Sequence, residues 1–256
     1  MVNKSMDVLK FKLSGKSAFF KKQDVNSYVY FTYGNIHKVA LLGMFGAILG
    51  YEGYNQFRQN IDNIKDYKEN YPEFYNRLKD IKISIEPLCK KGVISKKVQV
   101  FNNSVGYASQ ELGGNLIVKE QWLENPSWNI YVLLDNEESN KICEYISKYK
   151  SIYQPYLGKN DHYANISDIE IFEDVESIDS VNRIHSLCKK STIEFDMEEY
   201  EENEENPFKY SEKLPIGLRE DNNMYILESF VYSNMYVESI DIIDIYNINN
   251  KNIVFF

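Results

Sequence analysis

A short basic and aromatic stretch at residues 15–22, GKSAFFKK, holds the residue types best suited to contact a nucleic acid. Lysine ammonium groups can meet phosphates, and aromatic faces can stack on bases. The opposing interpretation is a basic turn whose phenylalanines enter the core, and the stretch alone does not decide between the two. The candidate contacts in this basic turn are Gly15, Lys16, Phe19, Phe20, Lys21 and Lys22.

A helix is predicted over residues 37–50, with glycines at positions 43, 46 and 50. These positions lie near one helical face, where missing side chains let another backbone approach closely. The pattern therefore mainly predicts a core helix packed on a sheet. Its first turn also offers backbone N–H groups that can bind an anion, so His37 and Lys38 join the candidate RNA contacts.

A β-hairpin, predicted from residues 93–101 and 115–122, supplies a further basic point. Lys96 and Lys97 lie in its first strand, and its loop, residues 105–114, carries three glycines and Tyr107. Such a loop can lie against a strand of RNA. The alternative is an exposed, flexible hairpin with no ligand.

Catalysis by histidine is weakly supported. The chain has three histidines, His37, His162 and His185, and a metal-free ribonuclease usually needs a general acid and base. His37, at the predicted helix start, is placed to serve, but no second base accompanies it, so a hydrogen-bonding role is the expectation. The sequence has no P-loop, HExxH, GxSxG or zinc-ligand spacing, and we expect neither a metal nor a cofactor.

The net charge of −9 argues at first against nucleic acid, but the charge is unevenly distributed. Residues 1–110 hold 17 Lys and Arg against 9 Asp and Glu, a net of +8, whereas residues 111–256 hold 12 against 29, a net of −17. Eight of these acids lie in residues 194–205, which predicts a solvated loop, with a divalent-cation site as the minority interpretation. The first half can therefore carry a positive face.

Composition also indicates which compartment the chain occupies and whether it crosses a membrane. The three cysteines, Cys89, Cys143 and Cys188, are far apart and odd in number, which favours a reducing cytoplasm. We expect no signal peptide, because the chain begins with strand-like sequence. The longest apolar run, residues 39–51, is too short to span a bilayer, so no membrane partner is expected.

The elements that must position these residues follow a recognisable order. Alternation predicts strands at residues 8–13, 28–33, 81–85, 128–134 and 166–172, and helical periodicity predicts a helix at residues 137–150, with Pro72 starting another. This is an α+β, ferredoxin-like (RNA-recognition-type) βαββαβ order with an inserted hairpin. We predict a domain at residues 1–173 with the hairpin insertion at about residues 87–122, followed by a small β-rich appendage at residues 174–256 that contains acidic loop 194–205.

Four segments in a fixed order carry a resemblance to a known family. They are GKSAFFKK, FTYGNIHKVALLGMFGAILG, QWLENPSWNIYVLL and YQPYLGKNDHYANISDIEIF. Together they resemble the CRISPR-associated Cas-five family of the RAMP superfamily, and more narrowly its type I-B Cascade subunit. The likeness covers residues 8–173, while residues 174–256 match by position rather than by motif.

The resemblance implies a thumb-like hairpin and a place at one end of the Cascade complex. There the chain would hold the repeat-derived 5′ handle of the guide RNA (crRNA), contact the repeating backbone subunit (Cas-seven type), and contact the large subunit (Cas-eight type). The large subunit reads the protospacer-adjacent motif of target DNA, so contact with that DNA is indirect. Carried over by position, the basic turn contacts the handle, Lys96, Lys97 and Tyr107 lie on the thumb, and a glycine loop on the same side of the sheet contains Gly158, Lys159 and Asn160.

Two features depart from the family pattern. Residues 33–36 replace a proline-rich stretch before the helix, which leaves the route of that turn open. The tyrosine, lysine and histidine set with which the type I-C branch cleaves its guide precursor is not evident. The leading hypothesis is therefore a non-catalytic, cytoplasmic, RNA-binding subunit whose affinity falls steeply with salt. The alternatives are a metal-independent crRNA-processing endoribonuclease and a purely protein–protein scaffold.

Overall fold

The computed structural model describes residues 5–23, 28–63, 69–102, 104, 106–196, 206–241 and 244–256. Through residue 176 its elements are β1 Ser5–Ser14, β2 Ser17–Ala18, α1 Lys38–Leu49, α2 Tyr54–Asn63, α3 Glu73–Leu78, β3 Ile83–Pro87, β4 Lys96–Asn102, β5 Ile117–Glu124, β6 Ser127–Leu133, α4 Glu137–Ser147 and β7 Asn165–Glu176. The remaining elements are β8 Cys188–Lys189, β9 Ile193–Phe195, β10 Lys209–Leu218, β11 Tyr225–Ser233, β12 Val237–Ile240, β13 Ile245–Ile248 and β14 Lys251–Val254.

A four-stranded antiparallel sheet, in the order β3-β6-β1-β7, forms the centre of the molecule. Alternation in β1 sends Leu9, Phe11 and Leu13 to one face, where all three are fully buried under the helices. With β4 and β5 set aside as an insertion, the strand order is that of a βαββαβ unit with its second, third, first and fourth strands side by side. The predicted ferredoxin-like α+β fold is confirmed.

Helix α1 agrees with the predicted helix to within one residue at each end. It is capped at its start by His37, whose Nδ1 accepts a hydrogen bond from the Ala40 N–H at 3.2 Å. It ends at Gly50, which adopts the left-handed φ of 82° common at helix ends. The three glycines have different neighbours, since a Cβ on Gly46 would lie 2.5 Å from Phe74, whereas one on Gly43 would meet only a Phe74 ring atom at 4.0 Å. Gly46 thus lets α3 pack closely, while Gly43 faces open space.

The thumb is the predicted hairpin, now bounded as β4 and β5, which pair from Lys96 opposite Leu123 to Asn102 opposite Ile117. Strand β2 adds to it, with Ala18 opposite Leu123. The thumb is therefore fastened directly to the basic turn. The strand predicted at residues 28–33 is wrong as an element: the stretch makes isolated bridges at Tyr30 and Thr32 with the thumb and the basic turn instead of joining a sheet.

The C-terminal part is β-rich, as predicted, and its sheets contact the central domain. Leu214, Leu218 and Phe230 from β10 and β11 belong to the same core as α1. The predicted boundary at residue 173 stays a prediction, because a shared core does not say whether either part folds alone. Residues 197–205 of the predicted acidic loop lie outside the described residues.

The sheet face opposite α1 is covered over part of its area. Val8, Tyr131 and Leu133 are buried there by residues of β13 and β14. The rest of this face carries paired charges, since Lys10 meets Glu170 at 2.7 Å. Further along the same face, the ammonium group of Lys12 lies 3.9 Å from Asp168. The buried carboxylate of Glu86 accepts hydrogen bonds from Tyr131, Asn129 and Lys251. Across the part of the chain that the structure describes, no helix has both the length and the apolar composition needed to cross a bilayer.

Candidate nucleic-acid interface

A groove of about 940 Å³ runs along the open side of α1. Its floor is one helical face with small residues, formed by Ala40, Gly43, Met44 and Ala47. Its walls come from segments far apart in sequence: the basic turn, the thumb, the loop before β7, α2 and β11. The wall residues are Phe19, Phe20, Lys21, Tyr30, His37, Tyr51, Tyr54, Phe74, Glu120, Tyr153, Tyr156, Gly158, Lys159 and Tyr225, together with a few small and polar neighbours.

The basic turn splits into buried rings and exposed cations. Phe19 and Phe20 are each 3% exposed, and the Phe20 N–H is held by the Thr32 hydroxyl at 3.0 Å. This burial favours the interpretation in which the phenylalanines enter the core, and little of either ring is left on the groove wall. Lys16 and Lys21 stay exposed, and the Lys21 ammonium group lies 4.1 Å from the centre of the Tyr30 ring. Lys21 is thus the cation of the turn that borders the groove.

The glycine loop lies directly against the basic turn. The Phe19 N–H donates to the Leu157 carbonyl at 3.1 Å, and Gly158 follows with a left-handed φ of 89°. A Cβ at Gly158 would lie 2.0 Å from the Phe19 carbonyl oxygen, so only glycine fits there. Gly15 is similarly tight, since a Cβ there would be 2.7 Å from Leu157. The structure therefore brings together two segments about 140 residues apart that the resemblance placed on the same side of the sheet.

An ion pair with a buried carboxylate ties the glycine loop to the thumb. The Lys159 ammonium group contacts both carboxylate oxygens of Glu120, at 3.0 and 3.1 Å. Glu120 is 5% exposed and also accepts a hydrogen bond from the Trp122 indole at 2.8 Å. The charge of Lys159 is therefore largely neutralised inside the protein. Sequence reasoning missed Glu120; its alternation with Trp122 on the inner face of β5 was the available signal.

Several predicted contacts lie away from the groove or are already paired. Lys22 meets Glu212 at 3.1 Å, and Lys97 lies 3.7 Å from Glu124. Lys96 is exposed on the thumb, where partial burial and the nearby charge of Lys22 lower its pKa. Tyr107 is 86% exposed at the thumb tip. None of these side chains, nor Gly15, Lys16, Lys38 or Asn160, is among the residues that line the groove.

Two backbone N–H groups beside the predicted anion site at the start of α1 are already bonded within the protein. The Gly34 N–H, just before the helix, donates to both carboxylate oxygens of Glu212 at 3.0 and 2.8 Å. The Ala40 N–H is taken by His37, as described above. The Lys38 ammonium group donates to the main-chain oxygen of Phe256 at 3.1 Å, and burial lowers its pKa to about 8. Lys38 therefore makes an internal contact rather than lining the groove.

His37 lies in a box of aromatic rings at the edge of the groove. It is 2% exposed, and its ring centre lies 5.9 Å from Phe20, 5.2 Å from Tyr33 and 5.4 Å from Tyr225. Burial lowers its pKa to about 3, so the ring is neutral at physiological pH. A histidine that is uncharged at neutral pH and whose Nδ1 is used as a helix cap is poorly suited to general acid–base catalysis.

The other two histidines lie outside the groove lining. His162 Nδ1 is 2.6 Å from the Ser17 hydroxyl, and the His162 ring meets Trp122 edge-on at 4.6 Å. His185 Nδ1 accepts a hydrogen bond from the Asn252 N–H at 3.0 Å. Burial lowers the pKa of both rings. These contacts account for the Nδ1 atom of each ring.

Exposed tyrosines are the functional candidates that sequence reasoning did not single out. Tyr153 is 59% exposed, Tyr156 is 44% exposed and Tyr54 is 39% exposed, and all three line the groove. A half-exposed aromatic ring on a groove wall can stack on a base. The chain has 21 tyrosines, and only the fold shows which of them share one surface.

Comparison with known proteins gives a likeness of fold. No family model and no curated protein sequence matches the chain. Among solved structures, a chain of a CRISPR RNA-guided surveillance complex matches with a TM-score of 0.50 and 12% identity over 90% of both chains. A CRISPR protein from Archaeoglobus fulgidus matches at a TM-score of 0.49 and 10% identity, over 97% of this chain and 98% of that one. A chain of the type III-B Cmr-beta complex bound to cognate target RNA and AMPPnP matches at 0.45 and 11%, over 90% and 85%.

Proposed function

We propose that the chain is a non-catalytic subunit of a type I-B CRISPR surveillance complex and holds the 5′ handle of the guide RNA in the groove over α1. One observation carries the proposal: the basic turn, the glycine loop and the base of the thumb converge on this groove, although they are widely separated in sequence. The fold shared with a chain of a CRISPR RNA-guided surveillance complex supports the same conclusion.

The groove suits a single strand better than a duplex. Its walls include tyrosines from several separate segments of the chain, together with Lys21. Aromatic rings bind unstacked bases with little dependence on sequence, and a rim cation can meet the backbone phosphate. The opposite sheet face offers neither, because β13 and β14 cover one half and paired charges fill the other.

The thumb is the proposed contact for the backbone subunit. Three apolar side chains project from its outer face: Val98 is 55% exposed, Val100 is 51% exposed and Ile117 is 55% exposed. Adjacent exposed apolar side chains on a protruding hairpin favour burial against a partner. Contact with the large subunit, and through it with target DNA near the protospacer-adjacent motif, rests on the family resemblance.

Non-catalytic binding is the preferred form of the proposal because of His37. Its low pKa and its role as a helix cap leave it without a proton-transfer function at neutral pH. The direct check is to incubate the purified chain with repeat RNA in the presence of a chelator. Intact RNA is the expected result, whereas cleavage that is lost in a His37→Asn variant would establish the ribonuclease alternative.

The decisive experiment is to express the chain with the proteins encoded beside it, isolate the complex and sequence the ends of its RNA. We expect a uniform 5′ end that keeps a segment of the repeat, and loss of its nuclease protection when this chain is deleted. A 5′ end protected equally well without the chain would contradict the proposal. A complex that falls apart without the chain while groove variants leave its RNA untouched would favour the scaffold alternative.

A further inference from the structure

The part of the groove beside His37 has an unusual hydrogen-bonding state. Nδ1 of His37 accepts the Ala40 N–H at 3.2 Å, so the neutral ring carries its hydrogen on Nε2. Among the described residues no acceptor is hydrogen-bonded to Nε2, although the side chain is 2% exposed and lines the groove. Because His37 lines the groove, an acceptor on a bound ligand can meet this N–H.

The surroundings of this donor are neutral and aromatic. Phe20, Tyr33 and Tyr225 frame the ring, and each stands at a steep angle to it. Lys159 is paired with Glu120, and Lys21 lies over Tyr30 at the rim, so neither lysine is among the groups that frame the His37 ring. A phosphate entering here would lose its hydration without gaining a free cation, which is strongly unfavourable. A flat, neutral group with a hydrogen-bond acceptor on its edge meets no such cost.

We propose that this part of the groove is a pocket for one unstacked nucleobase of single-stranded RNA, and that Nε2–H of His37 donates a hydrogen bond to a carbonyl oxygen or ring nitrogen of that base. The inference rests on the proposed function and adds to it a specificity-determining residue. His37 then contributes base reading, while Lys21 and the exposed tyrosines hold the rest of the strand.

The test starts from the full chain and a pool of single-stranded RNA randomised over about eight nucleotides, a length typical of such grooves. The tightest-binding sequence is then scanned with one abasic nucleotide at a time. We expect one position at which removal of the base weakens binding about tenfold, beyond its neighbours, because that base is enclosed. At that position, an analogue of the same shape that lacks the edge acceptor should lose about five-fold.

Two variants separate base reading from folding. His37→Asn keeps a good helix cap but no longer reaches into the groove with a ring N–H. Gly43→Leu leaves His37 untouched, improves helix propensity and fills open space on the groove floor. The matched control is Asn136→Ala, which removes the cap of α4 and should lower thermal stability without changing RNA affinity.

The proposal predicts coupling between protein and base. With His37→Asn, RNA carrying the acceptor-free analogue and RNA carrying the natural base should bind with affinities equal to within about twofold. With Gly43→Leu, no single abasic position should weaken binding more than its neighbours do. If His37→Asn weakens binding to every oligonucleotide by the same factor, or if a folded Gly43→Leu keeps the sensitive position, the base pocket is ruled out while RNA binding stands. If no sequence in the pool binds at all, the proposed function and the pocket both fail.

Discussion

On the sheet face that points away from α1, the lysines of β1 meet carboxylates, whereas on the α1 side Lys21 meets the face of an aromatic ring. Lys10 pairs with Glu170 at 2.7 Å, and Lys12 lies 3.9 Å from Asp168. Lys21 lies 4.1 Å from the Tyr30 ring centre and borders an open groove. The two regions have similar residue types and differ in whether the lysine is paired with an acid; under the proposed function, that difference selects the α1 side for RNA.

The largest expected effect comes from the glycine loop, where the groove wall depends on a missing side chain. Gly158→Ala would place a Cβ against the Phe19 carbonyl at a left-handed φ, and should cost about 2–4 kcal/mol of unfolding free energy or displace the loop. RNA affinity should fall more than about tenfold. Chemical denaturation and RNA binding measured on one preparation check both.

The control for this variant is Gly113→Ala in the thumb loop. Gly113 has a similar φ of 81°, but a Cβ there meets nothing within 4 Å. We expect a cost of about 1 kcal/mol and unchanged RNA affinity. Equal losses of affinity in the two variants would mean that the docking of the glycine loop on the basic turn has no special part in binding.

Lowering the pH should reduce the free energy of unfolding through the protonation of His37. Its folded-state pKa of about 3 lies below the unfolded value of 6.5, so the unfolded chain binds the proton first as pH falls. The associated stability is complete above about pH 6.5 and declines by about 1.4 kcal/mol per pH unit from there toward pH 3. His37→Asn should make the decline shallower. An unchanged slope in urea titrations between about pH 6.5 and 4.5 would contradict the buried, neutral state.

The ion pair between Lys159 and Glu120 at the base of the thumb offers a third comparison. Glu120→Gln leaves Lys159 without its carboxylate, and should lower the free energy of unfolding by about 1–2 kcal/mol, since Lys159 is partly exposed and can regain water. The released ammonium group should make RNA affinity more dependent on salt. Lys159→Gln tests the converse, and should leave the salt dependence close to that of the original chain.

The smallest expected effect is that of removing a single lysine charge, and it should differ between the two sides of the sheet. Lys21→Gln should weaken RNA binding about three- to tenfold at 0.1 M salt and lower the slope of log affinity against log salt by about 0.7. Lys12→Gln, the same change on the opposite face, should alter neither. Lys22, Lys97 and Lys159 are already paired with acids. The slope of log affinity against log salt should therefore be shallower than the number of lysines in the candidate site predicts.

Much of the fold was predictable because its signals are local. Alternation identified β1 and the thumb, and helical periodicity identified α1 and α4 to within a few residues. The stretch at residues 28–33 failed because its aromatic and β-branched residues pack between the basic turn and β5 without a full ladder of hydrogen bonds. The covering of the sheet by β13 and β14 was not predictable, since strand pairing over such distances leaves no local signal.

The segments that form the candidate site could be predicted from the sequence, but the acids that pair with their lysines could not. The basic turn and the glycine loop were named from sequence, and the structure places them in contact. Their neutralising partners were not, because Glu212 lies 190 residues from Lys22 and Glu120 is an ordinary acid in an alternating strand. The tyrosines of the groove were hidden among 21 in the chain.

The most direct measurement is to photocross-link the bound RNA, with 4-thiouridine placed at each position in turn, and to map the adducts by mass spectrometry. We expect adducts on the groove walls, at Tyr153, Tyr156 and the peptide containing Lys159. Adducts that instead fall on Lys10, Lys12 or Asn129 would place the RNA on the opposite sheet face and contradict the assignment of the groove.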